Sequence, residues 1–328
     1  MKLATPRWWY ERDRRSMPMT RALLTPLSWA WAGVTARRIA RARPLDAGAP
    51  VICVGNLTMG GAGKTPVVRE IARRLGGHVL SRGYGGSLAG PVRVDPAVHA
   101  SGEVGDEPLM LARDLPVWVS RDRLAGARAA AAAGARVVVM DDGHQNPSVK
   151  KALSLVVVDG ETRNGEWPFG DGRVFPAGPM REPLAAGLAR ADAAVILLPA
   201  DLAAPDPELV RVLSKVPVLI ARLEPEGPPP VGPQVAFAGI GKPWKFERAL
   251  KAAGCELVEF APFPDHYAYD AAALALLADR AAQDGAGLLT TEKDWIRLPP
   301  AWRERVRPWP VRAVFQDEAA LGALLGGL

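Results

Sequence analysis

Cysteine is scarce in this chain of 328 residues. The two present, Cys53 and Cys255, stand 202 positions apart and form no CxxC pair. That excludes a disulfide framework, argues against structural zinc and favours a reducing compartment. Long apolar runs are also missing. No uncharged stretch reaches the roughly 18–20 residues a spanning helix needs, so a polytopic membrane protein is excluded. No internal repeat stands out. Disorder, collagen and coiled coil are ruled out as the main character by 48% hydrophobic and 23% charged residues, an ordinary globular balance.

What is present is enough chain for roughly two domains, each with a real core. The net charge of +6 is unevenly spread. Residues 1–45 hold ten Lys and Arg against Glu11 and Asp13, a net +8, which leaves −2 for the remainder. Nucleic acid is therefore not an expected partner, and no obligate protein partner is evident. The basic segment keeps company with Trp8, Trp9, Trp29 and Trp31. From Ala22 to Ala36 it is mostly apolar, interrupted by Pro26 and Gly33, and it then turns basic at Arg37, Arg38 and Arg41. Arginines flanking tryptophans suit a helix lying in the headgroup region, where anionic lipid attracts each cation by about 1 kcal/mol. A surface helix packed on the protein's own core and a secretory signal compete with that reading.

Pro50–Val54 reads as a short buried parallel strand. It feeds a glycine-rich turn ending in Lys64-Thr65-Pro66, after which Val67–Leu75 reads as a helix. Strand, turn, Lys-Thr and helix are the context of a phosphate-binding loop. Its backbone N–H groups turn inward around phosphate oxygens, aided by the positive end of the helix dipole. Thr58, Met59, Gly60, Gly61, Ala62, Gly63, Lys64 and Thr65 are the expected nucleotide-binding residues. Lys64 would bridge β- and γ-phosphates, and Thr65 would offer its hydroxyl to magnesium. Strict GxxxxGKT spacing asks for glycine where Thr58 stands; the Gly60-Gly61-x-Gly63 cluster supplies the same freedom.

A second buried strand, Arg136–Met140, ends in Asp141-Asp142-Gly143-His144-Gln145. In parallel sheets ligands sit beyond the carboxyl ends of strands, so these acids face the phosphates. Asp142, with Asp141 as the alternative, is the expected magnesium carboxylate; a plain Asp-Asp-Gly turn is the competing account. Gly105-Asp106-Glu107-Pro108 opens another helix. There the acids serve equally as capping chemistry or as a base for an attacking hydroxyl. His266 sits in a loop after the strand Glu256–Phe260, where a lone histidine is ordinarily a surface residue.

Proline-rich 225–234 marks a domain boundary. The expected organisation is a basic aromatic segment at 1–45, a phosphate-loop domain at 46–224, that linker, and a small α/β unit at 235–328 that includes a strand at Val311–Phe315. Thr290-Thr291-Glu292-Lys293-Asp294 has the wrong spacing and lacks the Asn for a guanine-reading NKxD motif.

Taken together, Val54-Gly55-Asn56, Gly60–Pro66, Ser81-Arg82-Gly83-Tyr84, Gly105–Pro108, Asp141–Gln145, Gly178-Pro179-x-Arg181-Glu182-Pro183, Asp265-His266 and Thr290–Asp294 resemble the tetraacyldisaccharide 4'-kinase family of lipid A biosynthesis, in order from about residue 20 onward. The resemblance implies an α/β fold: a P-loop NTPase-like α/β/α sandwich, a second, smaller α/β domain, and an N-terminal membrane-surface helix. It implies ATP and Mg2+ as cofactors and a tetraacylated glucosamine disaccharide 1-phosphate as lipid substrate, phosphorylated at its 4'-hydroxyl. The enzyme would sit peripherally on the cytoplasmic face of the inner membrane. The same resemblance makes Asp106 the base and His266 its partner, with Lys64 neutralising charge as the phosphoryl moves. A membrane-attached P-loop ATPase switch of the partitioning type is the alternative from another class. That class carries a lysine near the start of its loop, where Thr58 stands here.

Overall fold

The computed structural model describes residues 6–12 and 17–327. Lys2, Arg14 and Arg15 of the basic N-terminus lie outside the described residues. A single 3-10 turn (Arg7–Tyr10) precedes α1 (Pro18–Arg41), and β1 (Val51–Gly55) then leads into α2 (Lys64–Leu75). Next come β2 (His78–Ser81), β3 (Val92–Arg93), α3 (Ser101–Val104), α4 (Asp106–Leu111), β4 (Val117–Val119) and α5 (Arg123–Ala132). The first body continues with β5 (Val138–Asp141), β6 (Leu153–Asp159), α6 (Leu184–Leu188), β7 (Ala193–Leu198), α7 (Pro207–Leu213) and β8 (Val218–Pro225).

The second unit holds β9 (Gln234–Ala238), α8 (Pro243–Ala252), β10 (Leu257–Pro262), α9 (Ala271–Gln283), β11 (Gly287–Thr291), α10 (Glu292–Arg297), α11 (Pro300–Arg303) and β12 (Val306–Trp309). The chain closes with β13 (Val311–Phe315) and α12 (Glu318–Leu325).

Nine strands form the large sheet in the order β13-β8-β7-β6-β1-β5-β2-β4-β3, parallel except for its two edge pairs. The central strands are nearly continuous apolar runs because both faces are covered. Alternate residues divide between two cores: Ile52 and Val54 of β1 join α2, whereas Val51 and Cys53 join α5. The same period of two sends Val195 and Leu197 of β7 to the α2 face and Ala194 and Ile196 to the opposite one. An α/β/α sandwich results. The smaller sheet, β10-β9-β11-β12, is wholly parallel.

Val311–Phe315 corrects the expected domain limits. It pairs antiparallel with β8 at the edge of the large sheet rather than within the second unit. Ala313, Phe315, Leu321 and Leu325 bury into the core shared with α2. The second unit is thus inserted between two adjacent strands. Its length is bounded by β8 and β13, and the proline-rich stretch begins inside β8.

Helix α1 rests on the body by one face. Its buried Arg21 pairs with Asp171, also buried, at 2.5 Å, and Trp31 Nε1 donates to the Arg181 carbonyl at 3.1 Å. The opposite face is apolar and open to solvent: Met19, Leu23, Leu27, Trp29 and Val34 are between 58% and 85% exposed. No helix among the described residues is long and apolar enough to cross a membrane.

Candidate active site

The glycine turn leaves the central strand β1 at the C-terminal edge of the sheet. Its first half is fixed by the segment 179–181. Arg181 N–H donates to the Leu57 carbonyl at 2.8 Å, Arg181 Nε to the Thr58 carbonyl at 2.9 Å, and Met59 N–H to the Pro179 carbonyl at 2.7 Å. Gly60 and Gly63 take φ of +82° and +70°, which any other residue resists. Among the described residues no acceptor is paired with the N–H groups of Gly60, Gly61, Ala62 and Gly63. Lys64 and Thr65 form the first turn of α2, so the helix begins three residues before the sequence expectation.

Register brings the paired acids alongside. Asp141 on β5 is opposite Val54 on β1. Asp142 takes φ of +52° and is held by two cations, with Oδ1 2.8 Å from Arg181 Nη1 and 3.5 Å from Lys64 Nζ. Burial alone would raise its pKa, but Lys64 and Arg181 outweigh burial and bring it down to about 2. Asp141 is different. It is buried, its Oδ1 has no hydrogen-bond partner among the described residues, and Ser81 Oγ lies 3.5 Å from Oδ2. Burial, then the charge of Glu107, push its pKa up to about 7, against the pull of Lys64.

His144 is structural. It is buried against Ser154 Oγ at 3.0 Å and the Gly187 carbonyl at 2.9 Å. Burial lowers its pKa to about 4, so it is neutral. Gln145 Nε2 donates to the Asn56 carbonyl at 2.9 Å and to Glu182 at 3.0 Å, tying the acid loop to the root of the glycine turn.

Asp106 opens α4 after Gly105, whose φ of +94° and close approach to the Tyr84 carbonyl (a Cβ would sit 2.7 Å away) admit only glycine. His266 comes from the second unit. Its Nδ1 lies 3.0 Å from Asp106 Oδ2, on a residue held at φ of +59°. Left-handed backbone at a histidine costs about 1–3 kcal/mol and persists only where surroundings enforce it; here its N–H donates to the Gly239 carbonyl at 3.1 Å. Arg297 Nε stands 3.7 Å from the same carboxylate oxygen. Burial works against the Asp106 charge, yet the hydrogen bond to His266 and the charges of Arg297 and Lys293 prevail and hold its pKa below the ordinary value. Asp106, His266 and Arg297 line a cavity of about 210 Å³. A neighbouring cavity of about 310 Å³, lined by Arg82 and Arg121, shares Tyr84 and Gly85 with it.

Arg297 has no counterpart in the sequence expectation. The motif before it carries its signal. Asp294, fully buried, accepts from Tyr269 at 2.7 Å and from Arg297 at 2.6 Å, and so aims the guanidinium at Asp106. Glu292 binds Arg69 of α2 through two bonds of 2.8 and 3.2 Å, and Lys293 meets Glu107 at 3.3 Å. Thr290–Asp294 is a clasp between the two units.

A glycine turn at the end of a central parallel strand, Lys-Thr opening the next helix, and a carboxylate held by a histidine in a cleft define a P-loop kinase that acts on a hydroxyl. The tetraacyldisaccharide-1-P 4'-kinase family profile matches residues 20–327, and the chain belongs to that family. It is 99% identical over 328 residues to the tetraacyldisaccharide 4'-kinase of Phenylobacterium zucineum, covering all of both chains. It is 68% identical over 333 residues to that of Caulobacter vibrioides, covering 100% of this chain and 99% of the relative. Among solved structures it is similar to LpxK from Aquifex aeolicus, a crystal structure in complex with ATP. There the TM-score is 0.72 at 28% identity, over 93% of this chain and 98% of that one.

Proposed function

We propose that this kinase phosphorylates the 4'-hydroxyl of a tetraacylated glucosamine disaccharide 1-phosphate at the cytoplasmic face of the inner membrane, with Asp106 as the base. The observation that carries the assignment is the Asp106–His266 pair, made across the cleft between the two units at 3.0 Å. The Gly60–Thr65 turn cradles the triphosphate, and Lys64 spreads negative charge as the phosphoryl transfers. Asp106, ionised because its pKa is depressed, orients the sugar hydroxyl and takes its proton; His266 fixes the carboxylate's direction. Arg82 and Arg121, in the adjoining cavity, suit the anionic end of a phosphorylated acceptor.

Magnesium fits the residues present. Asp141 Oδ1 is a buried carboxylate oxygen without a partner, which a cation satisfies, whereas Asp142 is already engaged by Lys64 and Arg181. Asp141 with Thr65 would hold the ion, and Asp142 would position Lys64. An ion held there would supply positive charge against the phosphate oxygens. Among the described residues no group of three or more His, Cys, Asp or Glu could hold a metal, so the nucleotide's phosphates would complete its shell.

The exposed apolar stripe of α1 suits the membrane surface on which the acyl chains lie. The test is transfer of label from γ-labelled ATP to the disaccharide lipid, in the presence and absence of acceptor. Label on the 4'-position with little ATP loss in its absence supports the assignment; ATP loss independent of lipid sinks it.

A further inference from the structure

The segment before α1 lies outside the family match, which begins at residue 20, yet it reaches the glycine turn. Trp9 is buried against Phe175, with ring centroids 5.8 Å apart. The Tyr10 carbonyl accepts from Trp167 N–H at 2.7 Å, and the Arg12 guanidinium stacks over the Trp167 ring at 4.4 Å. These contacts fix Tyr10 on both sides. Its hydroxyl donates to the Met59 carbonyl. From the second unit, Lys242 Nζ stands 5.4 Å from the Tyr10 ring and is itself bound to Glu166 at 2.5 Å and Asp159 at 3.3 Å.

Three consecutive carbonyls are therefore pinned: Leu57 and Thr58 by Arg181, Met59 by Tyr10. The last matters most. A trans peptide is planar, so its C=O and N–H point in opposite directions. Holding the Met59 carbonyl toward Tyr10 turns the Gly60 N–H the other way, at a glycine whose φ of +82° would otherwise leave the peptide free to flip.

We propose that Tyr10 is a positioning residue for nucleotide binding, locking the 59–60 peptide so that the Gly60 N–H faces the phosphates. The inference rests on the reading of Gly60–Thr65 as the phosphate cradle. Tyr10→Phe removes the donor and keeps the ring beneath Lys242. In the full chain it raises KM for ATP, and the Kd of a non-hydrolysable ATP analogue with magnesium, about five-fold. Turnover at saturating ATP stays at the wild-type value, and the melting temperature without nucleotide falls by no more than the few degrees that one lost hydrogen bond costs. Tyr10→Ala raises both constants at least as far. An unchanged Kd in Tyr10→Phe overturns the proposal, as does a fall in melting temperature with KM unmoved, because a merely structural contact behaves that way. Lys64→Ala separates the two failures. If it abolishes analogue binding while Tyr10→Phe does not weaken it, only the role of Tyr10 is lost. If Lys64→Ala binds normally, the cradle reading itself falls.

Discussion

Asp106→Asn isolates proton acceptance from shape. The amide matches the carboxylate in size and keeps an oxygen toward His266 Nδ1, 3.0 Å away, but cannot take the acceptor's proton. Arg297 retains Asp294 at 2.6 Å, so no buried cation is left alone and the fold should hold. Loss of a positioned general base costs about 10²–10⁴ in rate, or about 3–5.5 kcal/mol of barrier. Initial rates of label transfer to detergent-dispersed lipid should fall by at least about 100-fold. The KM for ATP should stay within about two-fold, because the glycine turn is pinned by other residues. The pH profile gives a second handle. His266 lowers the Asp106 pKa, so the base form persists below the ordinary 3.8, and activity carries through to acid pH. In His266→Asn that support is gone, the Asp106 pKa rises, and the acid limb of kcat/KM moves to higher pH. Asp106→Asn turning over within ten-fold of wild type, or an acid limb unmoved in His266→Asn, would refute the assignment of the base.

Asp171→Ala takes the carboxylate from buried Arg21 and leaves it only the Trp8 carbonyl and ring; breaking such a buried pair costs about 3–5 kcal/mol, read as a fall of several degrees in melting temperature. Aspartate at Leu23, Leu27 and Val34 together should abolish cosedimentation with anionic liposomes while detergent-phase turnover persists; liposome binding equal to wild type would refute the docking role of α1. Asp141→Asn should stabilise the metal-free protein above neutral pH. A pKa raised to about 7 means the unfolded chain ionises first, so the wild type loses stability between 3.8 and about 7; at pH 3 the two proteins should melt together.

Much of the glycine-turn half was legible because its signals are local. A β1 run, positive-φ glycines and Lys-Thr lie within 15 residues (51–65), and the acids of β5 follow from strand ends in a parallel sheet. The Asp106–His266 pair across the cleft was not legible by spacing. Asp106 and His266 lie 160 positions apart and meet only because the second unit folds over the first; family resemblance supplied them. The sequence around Arg297 carries no local signal of its role, which depends on Asp294, whose burial no local pattern announces. Val311–Phe315 read correctly as a strand, but a strand's partner is a long-range choice, and it chose β8. Tyr10 carried no signal beyond its aromatic neighbours.

Inserting one unit between β8 and β13 has a cost during synthesis. The phosphate-loop body stays incomplete until its last elements, β13 and α12, leave the ribosome, after the whole second unit has emerged. Until then α2 presents an uncovered apolar flank where Phe315, Leu321 and Leu325 later pack. Nascent chains with such a flank are aggregation-prone and attractive to chaperones. A kinase truncated at Pro310 would retain its glycine turn and the Asp106–His266 pair and still behave as an unfinished protein.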